Sequence, residues 1–239
     1  MSLYAIGDLH LAHGLDKPMD IFGQVWANHE QKLRIGFESL SGEDLCVLCG
    51  DLSWGMGLEQ SHDDFAFINS LPGKKIILKG NHDYWWTTVT KIRRFFDDHN
   101  FRNIEVLNNN CFFYNDYAIC GTRGWFYEEE KGTEQDVKIM NREIQRLKTS
   151  LEAAGECKKL VFLHYPPLYQ NYRCEGILKL LREYEVNYCW YGHLHGRACQ
   201  SAFNGWLDGT CFQLVSADHL HFHPWKIDFV CACKERRHL

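Results

Sequence analysis

The sequence predicts an α/β protein in which two β-sheets pack face to face with helices outside, and three features lead to that class. The first half alternates short apolar, β-prone runs with amphipathic helical segments, one long helix follows, and the remainder is rich in further strands. Leu3–Ile6 is the first strand, and residues 29–40 form a helix with Leu33, Phe37 and Leu40 on one side. A strand at 45–49, a helix at 58–71, a strand at 76–79 and a helix at 88–98 carrying Val89, Ile92, Phe95 and Phe96 complete the alternating part. Short strands follow at 104–107, 111–114 and 117–120, the first two separated by the turn-forming run Asn108-Asn109-Asn110. Residues 134–151 give the clearest helix, because Val137, Met140, Ile144, Leu147 and Leu151 step by three or four, and Thr133 with Asp136 resembles a capping box. Strands are expected at 160–163, Tyr188–Tyr191, 200–203, 206–207 and 211–215, with Asn204-Gly205 as a hairpin turn.

At 239 residues, with 45% apolar and 14% aromatic side chains, the chain is expected to fold as a single domain over residues 1–239 with a substantial core. Its apolar runs are too short to span a bilayer and it opens on strand-like sequence, so a cytoplasmic protein without membrane association is expected. Its 11 cysteines are odd in number, and several lie inside predicted strands, which favours reduced, buried thiols over a disulfide framework. Cys46 and Cys49 have CxxC spacing, but a strand would send their thiols to opposite faces and away from a shared zinc. A net charge of −5 gives no general attraction to phosphate backbones and leaves only a local basic patch open for nucleic acid.

The chemistry gathers at five strand ends. Asp8 and His10 follow the first strand, Asp51 the second, and Asn81, His82 and Asp83 the third. His164 follows the strand at 160–163, and His193 with His195 the strand Tyr188–Tyr191. In open α/β folds the carboxyl ends of parallel strands converge on the crevice where ligands bind, so these side chains can meet. Gly7, Gly50, Gly80 and Gly192 at four of the exits permit tight turns and close backbone approach. Asp, His and Asn without Cys make a nitrogen and oxygen donor set suited to Mn²⁺, Fe, Zn²⁺, Co²⁺ or Ni²⁺. The candidate ligands Asp8, His10, Asp51, Asn81, His164, His193 and His195 are too many for one ion, whereas two ions sharing one carboxylate would each take about four and keep positions open. That is the arithmetic of a two-metal hydrolase, whose natural substrate is a phosphate ester.

In this order, Asp8-Leu9-His10, Gly50-Asp51, Gly80-Asn81-His82-Asp83, His164 and Gly192-His193-Leu194-His195 resemble the signature of the calcineurin-like metallophosphoesterases. The resemblance implies a four-layer αββα sandwich of two mixed sheets. It also implies two divalent ions, with Mn²⁺ favoured, one held by Asp8, His10, Asp51 and His195 and the other by Asp51, Asn81, His164 and His193. A metal-bridging hydroxide would be the nucleophile on a small phosphorylated substrate. His82 would protonate the leaving oxygen, and Asp83 would orient His82 and support its charged form. The protein Ser/Thr phosphatases follow the second motif with Asp-Arg-Gly and close the third with Glu. Here the chain runs Gly50-Asp51-Leu52-Ser53 and ends on Asp83, which is more similar to the compact bacterial-type phosphohydrolases.

Arg123, after a predicted strand, either grips a substrate phosphate or makes a surface ion pair. Trp54, Tyr84, Trp85 and Trp86 flank two motifs; core packing is the expected role, and stacking on a planar leaving group the other. His219, His221 and His223 alternate as in a strand with Leu220 and Phe222 on the buried face, and are expected to be solvated. His13, His29, His62 and His99 lie off the strand ends and are expected to be surface or satisfied histidines. Two rivals to the phosphohydrolase are a phosphodiesterase or nuclease acting on nucleotides or DNA, and a noncatalytic interaction module on the same fold. The latter should show gaps in the ligand set, and none is present.

Overall fold

The computed structural model describes residues 1–127 and 132–228. In chain order its elements begin with β1 (Leu3–Ile6), α1 (His29–Phe37), β2 (Leu45–Leu48), α2 (His62–Ser70), β3 (Lys74–Ile77), α3 (Val89–Asp98) and β4 (Ile104–Val106). There follow β5 (Phe112–Tyr114), β6 (Tyr117–Thr122), α4 (Glu134–Ala153), β7 (Lys158–Leu163), β8 (Leu168–Tyr169), β9 (Tyr172–Arg173) and α5 (Glu175–Glu183). The last are β10 (Tyr188–Tyr191), β11 (Gly205–Leu207), β12 (Thr210–Leu214) and β13 (Trp225–Lys226).

Two mixed sheets carry the fold. One has the order β13-β1-β2-β3-β4 and the other β11-β12-β10-β7-β6-β5. In the first, β1 to β4 are mutually parallel and β13 is antiparallel. In the second, β6, β7, β10 and β12 are parallel, with β5 and β11 antiparallel at the edges. Strands buried on both faces need apolar side chains at every position, which is why these runs are nearly continuously apolar. Leu3, Ala5, Val47 and Ile76 meet Ile119, Leu160, Phe162 and Trp190 between the sheets. On the outer face of the first sheet, Ile6, Leu48 and Ile77 pack with Leu33 and Phe37 of α1, Phe65 of α2 and Phe96 of α3. On the outer face of the second, Val161, Leu163 and Tyr191 pack with Leu147 of α4 and Leu178 and Leu181 of α5. These are the four layers of an αββα sandwich. Cys46 faces the helices and Cys49 the space between the sheets, as the alternation of a strand requires.

The capping box at Thr133 and Asp136 forms, with Thr133 N donating to Asp136 Oδ2 at 2.8 Å. Several local expectations fail. Residues 200–203 are not a strand; a 3₁₀ helix, Gly196–Ser201, takes the first two of them. Asn204-Gly205 is not the hairpin turn, because β11 and β12 join through Asp208-Gly209, both at positive φ (49° and 83°). Asn204 instead accepts from Leu214 N through its side chain, at 2.7 Å. Helix α5, an amphipathic segment absent from the sequence reading, covers the second sheet, and residues 219–222 form turns, not a strand. Among the described residues no helix is long and apolar enough to cross a membrane.

The two sheets are tied together where their parallel strands end. Gly7 N donates to Val215 O at 2.7 Å and Ala217 N donates back to Gly7 O at 3.0 Å. Leu11 N donates to Leu52 O and Trp54 N to Leu11 O, joining the loops after β1 and β2.

Candidate metal centre

The loops after β1, β2, β3, β7 and β10 bring the seven sequence-predicted ligands close together. To turn inward directly at the strand exits, four of these residues adopt left-handed backbone: Asp8 (φ 62°), His10 (49°), Asp51 (52°) and His193 (73°). Each such residue costs roughly 1 kcal/mol or more. Glycines make the remaining room. A Cβ at Gly80 would collide with Asp51 Oδ1, and one at Gly192 with Asp8 Oδ2. Gly50, at φ 85°, would place a Cβ 2.7 Å from Gly80 Cα and 2.9 Å from His164 Nδ1.

The ligand-type side chains form two groups, Asp8 with His10 and His195, and Asp51 with His164 and His193; within each, the donor atoms lie within 4.8 Å of one another. In the first group His195 Nε2 is 3.3 Å from His10 Nε2 and 3.5 Å from Asp8 Oδ1. In the second, His164 Nε2 is 2.6 Å from Asn81 Oδ1 and 3.5 Å from Asp51 Oδ2. The same Asp51 Oδ2 lies 3.9 Å from His10 Nε2, so one carboxylate oxygen faces both groups.

These atoms fit cations. His164 Nδ1 sits 3.0 Å from the Cys49 carbonyl, which fixes its proton there and turns the Nε2 lone pair toward the oxygens of Asn81 and Asp51. Electron-rich atoms facing one another in this way call for positive charge between them. Burial keeps His164 below its ordinary value; burial and His195 hold His10 well below it, and burial and His164 bring His193 to about 3. All three are therefore neutral at pH 7, the form a metal ligand requires. Burial alone would lower His195, but Asp8 and Asp218 push it up to about 10. Burial would raise Asp8, yet His195, His164 and His10 outweigh it and hold the carboxyl below the usual range. Asp51 goes the other way: burial, then Asp83 and Asp8, push it well above the usual range. A cation against Asp51 would relieve that repulsion.

His82 is positioned by its own N–H, which donates to Asp51 Oδ1 at 2.7 Å, and its Nδ1 lies 3.2 Å from the Tyr84 hydroxyl. Burial, followed by His164 and Lys17, brings its pKa down to about 4. Asp83 does not orient it as expected. Its buried carboxylate accepts from Asp51 N (2.9 Å), Leu52 N (2.8 Å), Ser53 N (3.4 Å), Gly80 N (2.7 Å) and Trp85 Nε1 (2.9 Å), which commits it to the loops after β2 and β3. Arg123 pairs with the buried Glu143 at 3.3 Å and stacks over Trp125, so of its two readings the structure contains an ion pair, made to a buried partner and not at the surface. Its carbonyl accepts from His164 N and Tyr165 N, which fixes the start of that loop. Trp85 is core, 2% exposed, against Phe65. Trp54 packs at the site itself, stacked on His10 at 5.0 Å and 4.3 Å from His82 between ring centroids.

The sequence reading missed Asp218. Its carboxylate is 2.9 Å from His195 Nδ1 and also accepts from Gly196 N at 2.9 Å, which orients His195 with Nε2 toward Asp8. A lone Asp in a turn carries no local signal; only the fold brings it to His195. His13 is satisfied by Asp64, at 2.8 Å. A cavity of about 700 Å³ lies at the opposite, amino ends of β7 and β10, and none of these residues lines it.

Residues 1–197 match the family model described as calcineurin-like phosphoesterase. No curated protein matches the chain. Among solved structures, the phosphopantetheinyl hydrolase of Mycobacterium tuberculosis is similar at a TM-score of 0.59 and 14% identity, covering 95% of each chain. A protein of unknown function from Aquifex aeolicus is similar at a TM-score of 0.52 and 15% identity, covering 94% of this chain and 95% of its own. Both likenesses speak to the fold alone.

Because Asp83 satisfies so many buried donors, Asp83→Ala should destabilise the protein by at least about 3 kcal/mol, read as a lowered urea midpoint at unchanged slope. A midpoint shifted by less than about 1 kcal/mol equivalent would show that the loops do not depend on this carboxylate.

Proposed function

The chain belongs to the calcineurin-like phosphoesterase family, metal-dependent hydrolases of phosphoester bonds, and from that premise we propose that it works with two divalent cations shared through Asp51. The observation that carries this reading is the single Asp51 oxygen that faces His10 of one group and His164 of the other. Asp8, His10 and His195 would hold one ion with Asp51; Asn81, His164 and His193 would hold the second with it. The nitrogen and oxygen donors suit Mn²⁺ best, with Fe, Zn²⁺, Co²⁺ and Ni²⁺ compatible. When bound, such a pair lowers the pKa of water and neutralises the oxygens of a phosphoryl group.

The protein's own residues do the rest. Asp218 fixes the ring of His195, and the Cys49 carbonyl that of His164. His82 stands beside the shared carboxylate with its side chain only partly buried, and would protonate the oxygen of the departing alcohol. It is neutral before substrate arrives, and the negative charge of an incoming phosphate favours its protonated form. Asp83 acts on the reaction through the loops it ties, by keeping Asp51 and Asn81 in place. The reading fits a small phosphorylated substrate.

Replacement of the shared charge tests the pair. In Asp51→Asn, metal analysis should find at least one of the two cations gone and hydrolysis of an aryl phosphate nearly abolished; a metal-replete, fully active variant refutes the reading. The general-acid role has a separate test in His82→Ala. There the metal content should hold while turnover falls roughly 10²-fold or more, least for the most acidic leaving groups. Equal losses on good and poor leaving groups would remove His82 from that role.

A further inference from the structure

Lys17 stands at the rim of the site as a cation without an anion. It belongs to the stretch between β1 and α1, and its Nζ lies 2.8 Å from the centroid of the Trp54 ring. Asp16 and Asp20 are close in sequence, yet among the described residues no carboxylate comes within ion-pair distance of this ammonium. An aromatic face attracts a cation but does not neutralise it, so the charge remains free to meet a ligand.

Trp54 says which ligand group. Its backbone is held by the Leu11 carbonyl, and its ring packs on both His10 and His82. Its Nε1 is buried without a partner among the described residues, so the donor that this wall offers to a substrate is the Lys17 ammonium. The Lys17 ammonium and the His82 ring pack against the same Trp54 ring, so a leaving group that departs beside His82 has Lys17 as a neighbouring cation. Lysine recognises phosphate as a compact point charge, and a phosphoester substrate is the class already at hand.

We propose that Lys17 binds a second phosphate carried on the leaving group, so that the preferred substrates are phosphate esters or anhydrides whose leaving group is itself phosphorylated. This rests on the hydrolase reading and on His82 marking the leaving-group side.

The test is calorimetric titration of the Mn²⁺-saturated protein, metal in excess, with inorganic phosphate and with methylenediphosphonate, a non-hydrolysable pair of linked phosphonates. The wild-type protein should bind the diphosphonate more tightly than phosphate. Lys17→Ala should shrink that preference about tenfold or more, as expected for loss of a charge-assisted hydrogen bond, and Lys17→Arg should restore most of it. A wild-type protein without the preference, or a Lys17→Ala variant that keeps it, overturns the proposal. Because binding is read without turnover, the two readings separate: Lys17-dependent diphosphonate binding by a protein that hydrolyses neither phenyl phosphate nor inorganic diphosphate would support this subsite and count against the hydrolase reading.

Discussion

Three buried carboxylates share one small volume, and how each is neutralised governs the rest of the structure. Asp83 is answered by four backbone N–H groups and an indole N–H. Asp8 is answered by surrounding imidazoles and by His193 N, at 3.0 and 3.1 Å to its two oxygens. Asp51 has the N–H of His82 on one oxygen, while the other faces imidazole nitrogens of both ligand groups. An uncompensated buried carboxylate is costly, and its pKa well above the ordinary range expresses that cost. The protein therefore concentrates its need for positive charge at one oxygen, which faces the neutral imidazoles of His10 and His164.

Backbone strain serves the same end. Asp8, His10, Asp51 and His193 hold left-handed conformations that L-residues avoid, and Gly80 and Gly192 have no Cβ because carboxylate oxygens occupy that space. In continued extended backbone these side chains would alternate between the two faces of the sheet and would not converge beyond its strand ends. The sheets supply the rigidity that keeps such a geometry in place, through the hydrogen bonds between Gly7, Val215 and Ala217 that lock one sheet to the other at the site.

Much of this was legible in the sequence because strand-exit glycines and polar ligand-type residues follow one another within a few positions. Asp8, His10, Asp51, Asn81, His164, His193 and His195 could be placed together from local pattern and the convergence of parallel strands. The readings that failed depend on contacts made at long range or on competition between similar local signals. Asp83 beside His82 looked like its orienting partner, yet N–H donors from another loop claim its carboxylate. Asp218 lies 23 residues from His195 and had no motif to announce it. Asn204-Gly205 and Asp208-Gly209 both carry turn chemistry, and strand pairing chose the second. Helix α5 went unread although its Ile177, Leu178 and Leu181 face the second sheet.

The account stands or falls with the charge at position 51. Anomalous X-ray scattering from crystals grown with Mn²⁺ measures it most directly. Two manganese peaks, both coordinated by the Asp51 carboxylate and otherwise divided between the two ligand groups, are the expected result. A single peak, or peaks that leave Asp51 uncoordinated, would contradict it.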